Sequence, residues 1–418
     1  MKRLLTSADL VQEFLEKEAS RRSMLKGAAL LVGGSIVGCG PERADGGQGQ
    51  GQGGGPGSGP GPDPGQGSDG EGGGGGKADH ASEGEGEGEG EGEPGTEGEG
   101  EGEGEGEGEV IVDDGLQVVG MGWSQDDYLE ALDAALAQTI GLGFVQPGQT
   151  VYFKVNSNNF DRYPHSTNPE LIVELARRCK DLGADRVIVG DRSFWGDGDT
   201  VGNMRLNGIT RAASDAGAEL IVFEDHTVDW VQIPQENAPT WVGGFRLPLP
   251  VVQADHIINL PLVKTHFIAG FTMALKNVLG LPHPTDRARE GNLKWHVPER
   301  VPSQIAECNV AITPSLNILD GYRAVITGGP NASGNPRATY ADPKVIIAST
   351  DRIATDVAGI AVLQTLSPRS EAVTRQGAWD HPQIVAAVEY GLGVSGPDEM
   401  KLVGPTVPDL ARYQELAG

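Results

Sequence analysis

Residues 262–300 gather the side chains with the most chemical potential in the chain. Lys264, Lys276, Arg287, Arg289, Lys294 and Arg300 stand there against Asp286, Glu290 and Glu299, with His266, His283 and His296 among them. A net positive stretch inside an acidic protein suits an anionic ligand. Gly270 and Thr272, at the expected start of the next helix, would add backbone donors and a positive dipole end for a carboxylate or phosphate. For the arginines the competing reading is a solvated basic loop. Lys264 and His266 directly follow an apolar strand, which places them on the walls of a cleft, and Lys276 and Asn277 lie on the helix beyond. A lysine buried near other cations has a lowered pKa and can serve as base, imine former or anion anchor. We therefore expect Lys264, His266 and Asp320 to be catalytic, with Lys154, Asn156, Lys276, Asn277, Lys294 and Asn317 binding the ligand.

A divalent metal is the other chemistry open to these residues, with His266, His296 and Asp191 as its ligands and His283, Asp320 or Asp356 as further donors. Their spacing is irregular and contains no HExxH pattern. His226 and His256 read as structural, and Asp356 as a cap for its own helix. A nucleophilic hydrolase is disfavoured because no GxSxG elbow occurs. Gly141-Leu142-Gly143 and Gly391-Leu392-Gly393 are too short to be dinucleotide loops.

The elements that must position these groups alternate between strand and helix. Ser124 is expected as N-cap and Asp127 at N3 of a helix over 128–140, followed by a strand over 151–155. Asn168-Pro169 caps and opens a helix that Gly183 closes. Strands over 186–189, 219–223, 256–260 and 344–348 interleave with helices over 203–216, 272–279 and 353–363. This rhythm predicts an α/β fold, a mostly parallel sheet flanked by helices and preceded by a disordered tether. Ligands of such sheets bind beyond the C-terminal ends of the strands. Four polar clusters are expected there, at 154–156, 190–192, 259–266 and 316–321.

Those clusters also carry a resemblance. The run 257–281, with KTH followed by ALKNVLGL, is similar to the DUF362 family, as are Lys154 and Asn156 after one strand, Asp191 after the next, LNILDG, Gly328-Gly329-Pro330 and the segment 351–356. The resemblance spans about 151–393 and implies a single α/β domain without a settled activity. Many members of the family carry a ferredoxin-like cysteine module that is missing here. A histidine usual before Pro-Glu in the first long helix is replaced by Asn168, and His165 lies near enough to substitute.

Composition bounds the rest. Three cysteines, Cys39, Cys179 and Cys308, are too few for an iron–sulfur cluster built from thiolates alone. Cys179 and Cys308 read as unpaired buried thiols, with a disulfide as the alternative. Of the net charge of −27, residues 1–109 hold 23 of 59 acidic and 8 of 32 basic side chains, which leaves −12 on the remainder. That balance argues against nucleic acid as a partner.

Residues 1–39 read as a twin-arginine signal peptide, with Arg21-Arg22, an apolar run over 27–37 and a lipobox ending at Cys39 as the lipidation site. Residues 40–109 are a Gly/Glu-rich linker with almost nothing to bury, extended by like charges. Residues 110–418 are the folded domain. The expected partners are the twin-arginine export machinery, the membrane through lipid at Cys39, and a small anionic ligand, with the protein exported to the periplasm or cell exterior. Two functions fit these features: an enzyme acting on a small anion, with or without a metal, or a surface protein that captures an anion or metal without chemistry.

Overall fold

Alternating apolar residues in short runs build strands whose two faces are both covered, and this pattern organises the whole domain. A computed structural model describes residues 115–193, 199–224, 228–293, 299–333, 337–368 and 371–418. The expected signal peptide, Cys39 and the expected linker lie outside the described residues. The strands are β1 Gln117–Trp123, β2 Thr150–Lys154, β3 Arg186–Asp191, β4 Glu219–Val222, β5 Trp230–Ile233, β6 Phe245–Pro248 and β7 His256–Asn259. They continue with β8 Leu262–His266, β9 Gly270–Phe271, β10 Leu316–Thr327, β11 Thr339–Ala341, β12 Val345–Ser349 and β13 Met400–Val403.

The main sheet runs β13-β1-β12-β10-β7-β2-β3-β4. From β10 through β7, β2 and β3 to β4 every pairing is parallel. Antiparallel pairings join β12 to both β1 and β10. The sheet is thus mixed, mostly parallel on the half that carries the site, and flanked by helices as expected. β10 is long enough to serve two neighbours. Leu316 and Asn317 pair with β7, and Asp320 and Val325 pair with β8 after a register shift.

Period-two alternation divides the core into two layers. Val151 and Phe153 of β2, Val187 and Val189 of β3 and Ile346 of β12 face one apolar cluster, against helices 128–137 and 169–181. Tyr152, Ile188 and Ile347, one residue out of phase, face the other, against helices 301–311 and 352–366. Cys179 belongs to the first cluster and Cys308 to the second, and both are free and buried. Among the described residues no helix is long and apolar enough to cross a membrane.

Local chemistry explains where the elements depart from the sequence reading. The first helix is capped by Asp127, which accepts the N–H groups of Leu129 and Glu130, while Ser124 bonds Glu130 instead. Asn168 caps helix 169–181 as expected. The helix expected over 203–216 breaks at Gly208, whose φ of 97° no other residue adopts cheaply, into 200–207 and 209–215. The helix expected over 272–279 shrinks to Ala274–Asn277 and a turn of 3-10 helix. LNILDG is not a strand-end loop. It is the first half of β10, so Asn317 and Asp320 sit inside the sheet.

Candidate functional site

The strand ends converge on a cavity of about 250 Å³. Its floor is set by the last residue of β3, Asp191, and by Asn156 just past β2. Lys264 and His266 come from β8, two residues apart and so on one face of the strand, and both line the cavity. Helix 274–277 and its 3-10 extension contribute Lys276, Asn277, Leu279 and Gly280. The structure thus brings together Asn156, Asp191, Lys264, His266, Lys276 and Asn277.

Burial dominates the electrostatics. Lys264 is fully buried, and desolvation, reinforced by the Lys276 charge, pushes it down to about 7. Its Nζ donates to Asn156 Oδ1 at 2.8 Å and to the His165 carbonyl at 2.7 Å. Two of the nitrogen's bonding directions are therefore set by the protein, and Lys264 lines the cavity. Half-buried Lys276 is pushed down to about 8 by desolvation and by Arg287. Among the described residues neither lysine has a carboxylate within ion-pair distance. Arg287 is itself pushed down to about 10 by burial and by Arg192. Lys264, Lys276, Arg192 and Arg287 face a single lining carboxylate, Asp191, among the described residues, and Arg192 is paired outside the lining with Glu224 at 3.2 Å.

That carboxylate is already engaged. Asp191 Oδ1 pairs with Lys154 Nζ at 2.9 Å and accepts the Arg192 N–H, while Oδ2 accepts the Ser157 N–H. The pair is packed beneath Gly280, where a Cβ would stand 2.1 Å from Asp191 Oδ1 and 2.9 Å from Lys154 Nζ. Lys154 lies behind the wall and compensates Asp191. Burial lowers its pKa.

A chain of buried amides fixes the acceptor of Lys264. Asn156 Nδ2 donates to Asn277 Oδ1 at 2.9 Å, Asn277 Nδ2 to Asn259 Oδ1 at 2.8 Å, and Asn259 Nδ2 to Asn317 Oδ1 at 3.0 Å. Asn317 ends the run by donating to the Ser349 carbonyl. Asn317 is therefore part of the support of the site and does not line the cavity. Asp320 lies apart from it as well: Tyr128 and Tyr163 hydroxyls donate to its two oxygens at 2.8 and 3.0 Å, and burial pushes its carboxyl up to about 6.

The expected helix-terminus anion site is occupied by the protein itself. Asp356, 82 residues further along the chain from Ala274, accepts the N–H groups of Ala274 and Leu275 at 2.6 and 3.0 Å. Its own helix is capped by Asp351 instead. Both donors at that terminus are thereby taken. Thr272 lines the cavity, while Gly270, in β9, spends its backbone beside His381.

The arginines divide between the two readings. Arg287 is buried in the cavity wall, Arg289 pairs with Asp286, and Arg300 is exposed. Lys294 and His296 lie outside the described residues, as does His226. Among the described residues no three His, Cys, Asp or Glu side chains group as metal ligands. Asp191 is held by a lysine and two N–H groups, and His266 Nδ1 accepts the N–H groups of Ile268 and Ala269, so the described part of the expected metal set is a poor fit. His165 does take a place at the site, through its carbonyl, while its ring bonds Pro330 and Tyr340.

The sequence reading passed over the apolar wall, formed by Phe267, Ile268, Leu279, Leu293 and Val301. Only Phe267 had a visible signal, as an aromatic in the tight turn between KTH and Gly270. Ile268 follows it in the same turn, while Leu279, Leu293 and Val301 come from separate segments that only packing unites.

A thylakoid-associated protein of Synechocystis sp. is 28% identical over 297 residues, covering 63% of this chain and 86% of the relative. The lactate racemase apoprotein of Thermoanaerobacterium thermosaccharolyticum is 15% identical with a TM-score of 0.31, over 55% of this chain and 54% of that one, a likeness too slight to bear on fold or chemistry. The family described as a domain of unknown function, DUF362, matches residues 151–361, half of the chain and all of the strand ends that build the cavity, and the protein belongs to that family.

Proposed function

We propose that this protein is an exported, lipid-anchored enzyme of the DUF362 family that acts on a small substrate bearing a carboxylate or phosphate. The observation that carries this reading is Lys264. It is buried in a cationic cavity, has two protein acceptors, and is pushed down to about 7. At neutral pH such an amine exists in both protonation states, the condition for effective general acid–base catalysis. Lys276 and Arg287 hold the anion, Asn156 aims the Lys264 nitrogen, and His266 stands on the same strand face as a second proton carrier. The chemistry best served is removal and return of a proton at the carbon next to the anionic group. No step in it is assigned to a metal.

The membrane assignment rests on Arg21-Arg22, the apolar run and Cys39. A relative named as thylakoid-associated is in keeping with it.

The test incubates the full chain with short carboxylates in heavy water and follows loss of the proton next to the carboxylate by NMR. Exchange in the wild type that disappears in Lys264→Met supports the enzyme. Binding of the same carboxylates by calorimetry, with no exchange and no turnover, replaces it with a capture protein.

A further inference from the structure

The cavity carries an apolar surface beside its cations. At its mouth Phe267 is 75% exposed and yet part of the lining, in the turn between β8 and β9. The turn is closed rather than loose, because His266 Nδ1 accepts the N–H groups of both Ile268 and Ala269 at 3.1 and 3.2 Å. The Phe267 ring is stacked on the His266 ring, with centroids 5.2 Å apart and planes 11° from parallel. Its outward position is thus held in place before any ligand arrives, which lowers the entropic cost of packing against it. Ile268, Leu279, Leu293 and Val301 continue an apolar surface from that ring into the cavity. Inorganic phosphate or acetate would use only the cations and leave this surface wet.

Resting on the anion-binding reading above, we infer that the substrate is amphipathic: an oxyanion head taken by Lys276 and Arg287 beside Lys264, joined to an aromatic or similarly flat apolar body that covers Phe267 and Ile268. The head and body then separate into the two chemical zones of one cavity. Covering an aromatic side chain and its apolar neighbours raises affinity by about tenfold or more.

Calorimetry on the full chain compares acetate with phenylacetate, and inorganic phosphate with phenyl phosphate, in the wild type and in Phe267→Ala. The expected result is at least about tenfold tighter binding of each aryl member, with the ratio falling toward one in Phe267→Ala. Equal affinity within each pair, or an aryl preference that survives Phe267→Ala, overturns the amphipathic substrate while leaving the anion site standing. No binding of any of the four overturns both. Since the readout is a ratio within each protein, a general loss of affinity in the variant does not imitate the expected result.

Discussion

Lys264 Nζ donates to Asn156 Oδ1 at 2.8 Å across 108 positions of sequence, and that contact makes the lysine a directed group instead of a buried charge. The other end of the Asn156 amide is held by Asn277. Rotation of the Asn156 amide would therefore break its bonds to both Lys264 and Asn277. Several outcomes depend on this arrangement.

Lys264→Met removes a desolvated cation that has no carboxylate partner but leaves the Asn156 amide oxygen and the His165 carbonyl without their donor, so the two effects offset and thermal stability should change little. Exchange or turnover should fall by about 10²-fold or more, the usual share of general acid–base catalysis. Thermal melting together with the heavy-water assay checks both halves. A large loss of stability would mean that the ammonium is structural.

Acetate binding should weaken as pH rises through about 7 to 8, because Lys264 and Lys276 lose their protons there while acetate stays ionised. Stability moves the opposite way. Both lysines have folded pKa values below the unfolded value of about 10.4, so between the two the unfolded state binds more protons and stability rises with pH. Calorimetric titration and unfolding midpoints across pH 6 to 10 separate the two trends.

Gly280→Ala puts a methyl group against the Lys154–Asp191 pair at 2.1 Å from Asp191 Oδ1. Both neighbours are buried and bonded, so neither yields cheaply. We expect destabilisation of about 1–3 kcal/mol with loss of anion affinity, read by denaturant unfolding and calorimetry.

Asp356→Ala frees the N–H groups of Ala274 and Leu275 inside the core, at a cost of about 1–3 kcal/mol. Amide exchange at 274 and 275 should quicken. Burial pushes Asp356 up to about 8, above its unfolded value near 4. The folded state therefore binds more protons over that window, and this group's contribution to stability falls as pH rises through it. In Asp356→Asn that part of the pH dependence should disappear.

Replacing Arg21 and Arg22 with lysine should hold the chain in the cytoplasm, and Cys39→Ala should release exported protein from the membrane fraction. Fractionation with immunoblotting reads both. Unchanged membrane association in Cys39→Ala would remove the lipid anchor from the functional reading.

Much of this was legible because it depends on neighbours in sequence. Alternating apolar runs identified β2, β3, β7 and β12, and Asn168-Pro169 marked a helix start, since strand phase and helix capping are local properties. The positions of Lys154, Asn156 and Asp191 at strand ends followed from the same pattern. The KTH and ALKNVLGL motifs located Lys264 and Lys276 in one neighbourhood and indicated the family.

The partners of those residues were decided only in three dimensions. Asp320 and Asn317 looked like strand-end ligands, but β10 runs on through them to reach β8, which buries one between two tyrosines and makes the other the end of an amide chain. The helix start near 272 looked ready for an anion until Asp356, from helix 352–366 packed beside it, took its donors. Sequence alone determined which residues carry charge and which strands could bury them, because those depend on composition and short-range period. Tertiary structure decided which charges stay uncompensated in the cavity, because desolvation and hydrogen-bond partnership are set by elements that only the sheet topology brings together.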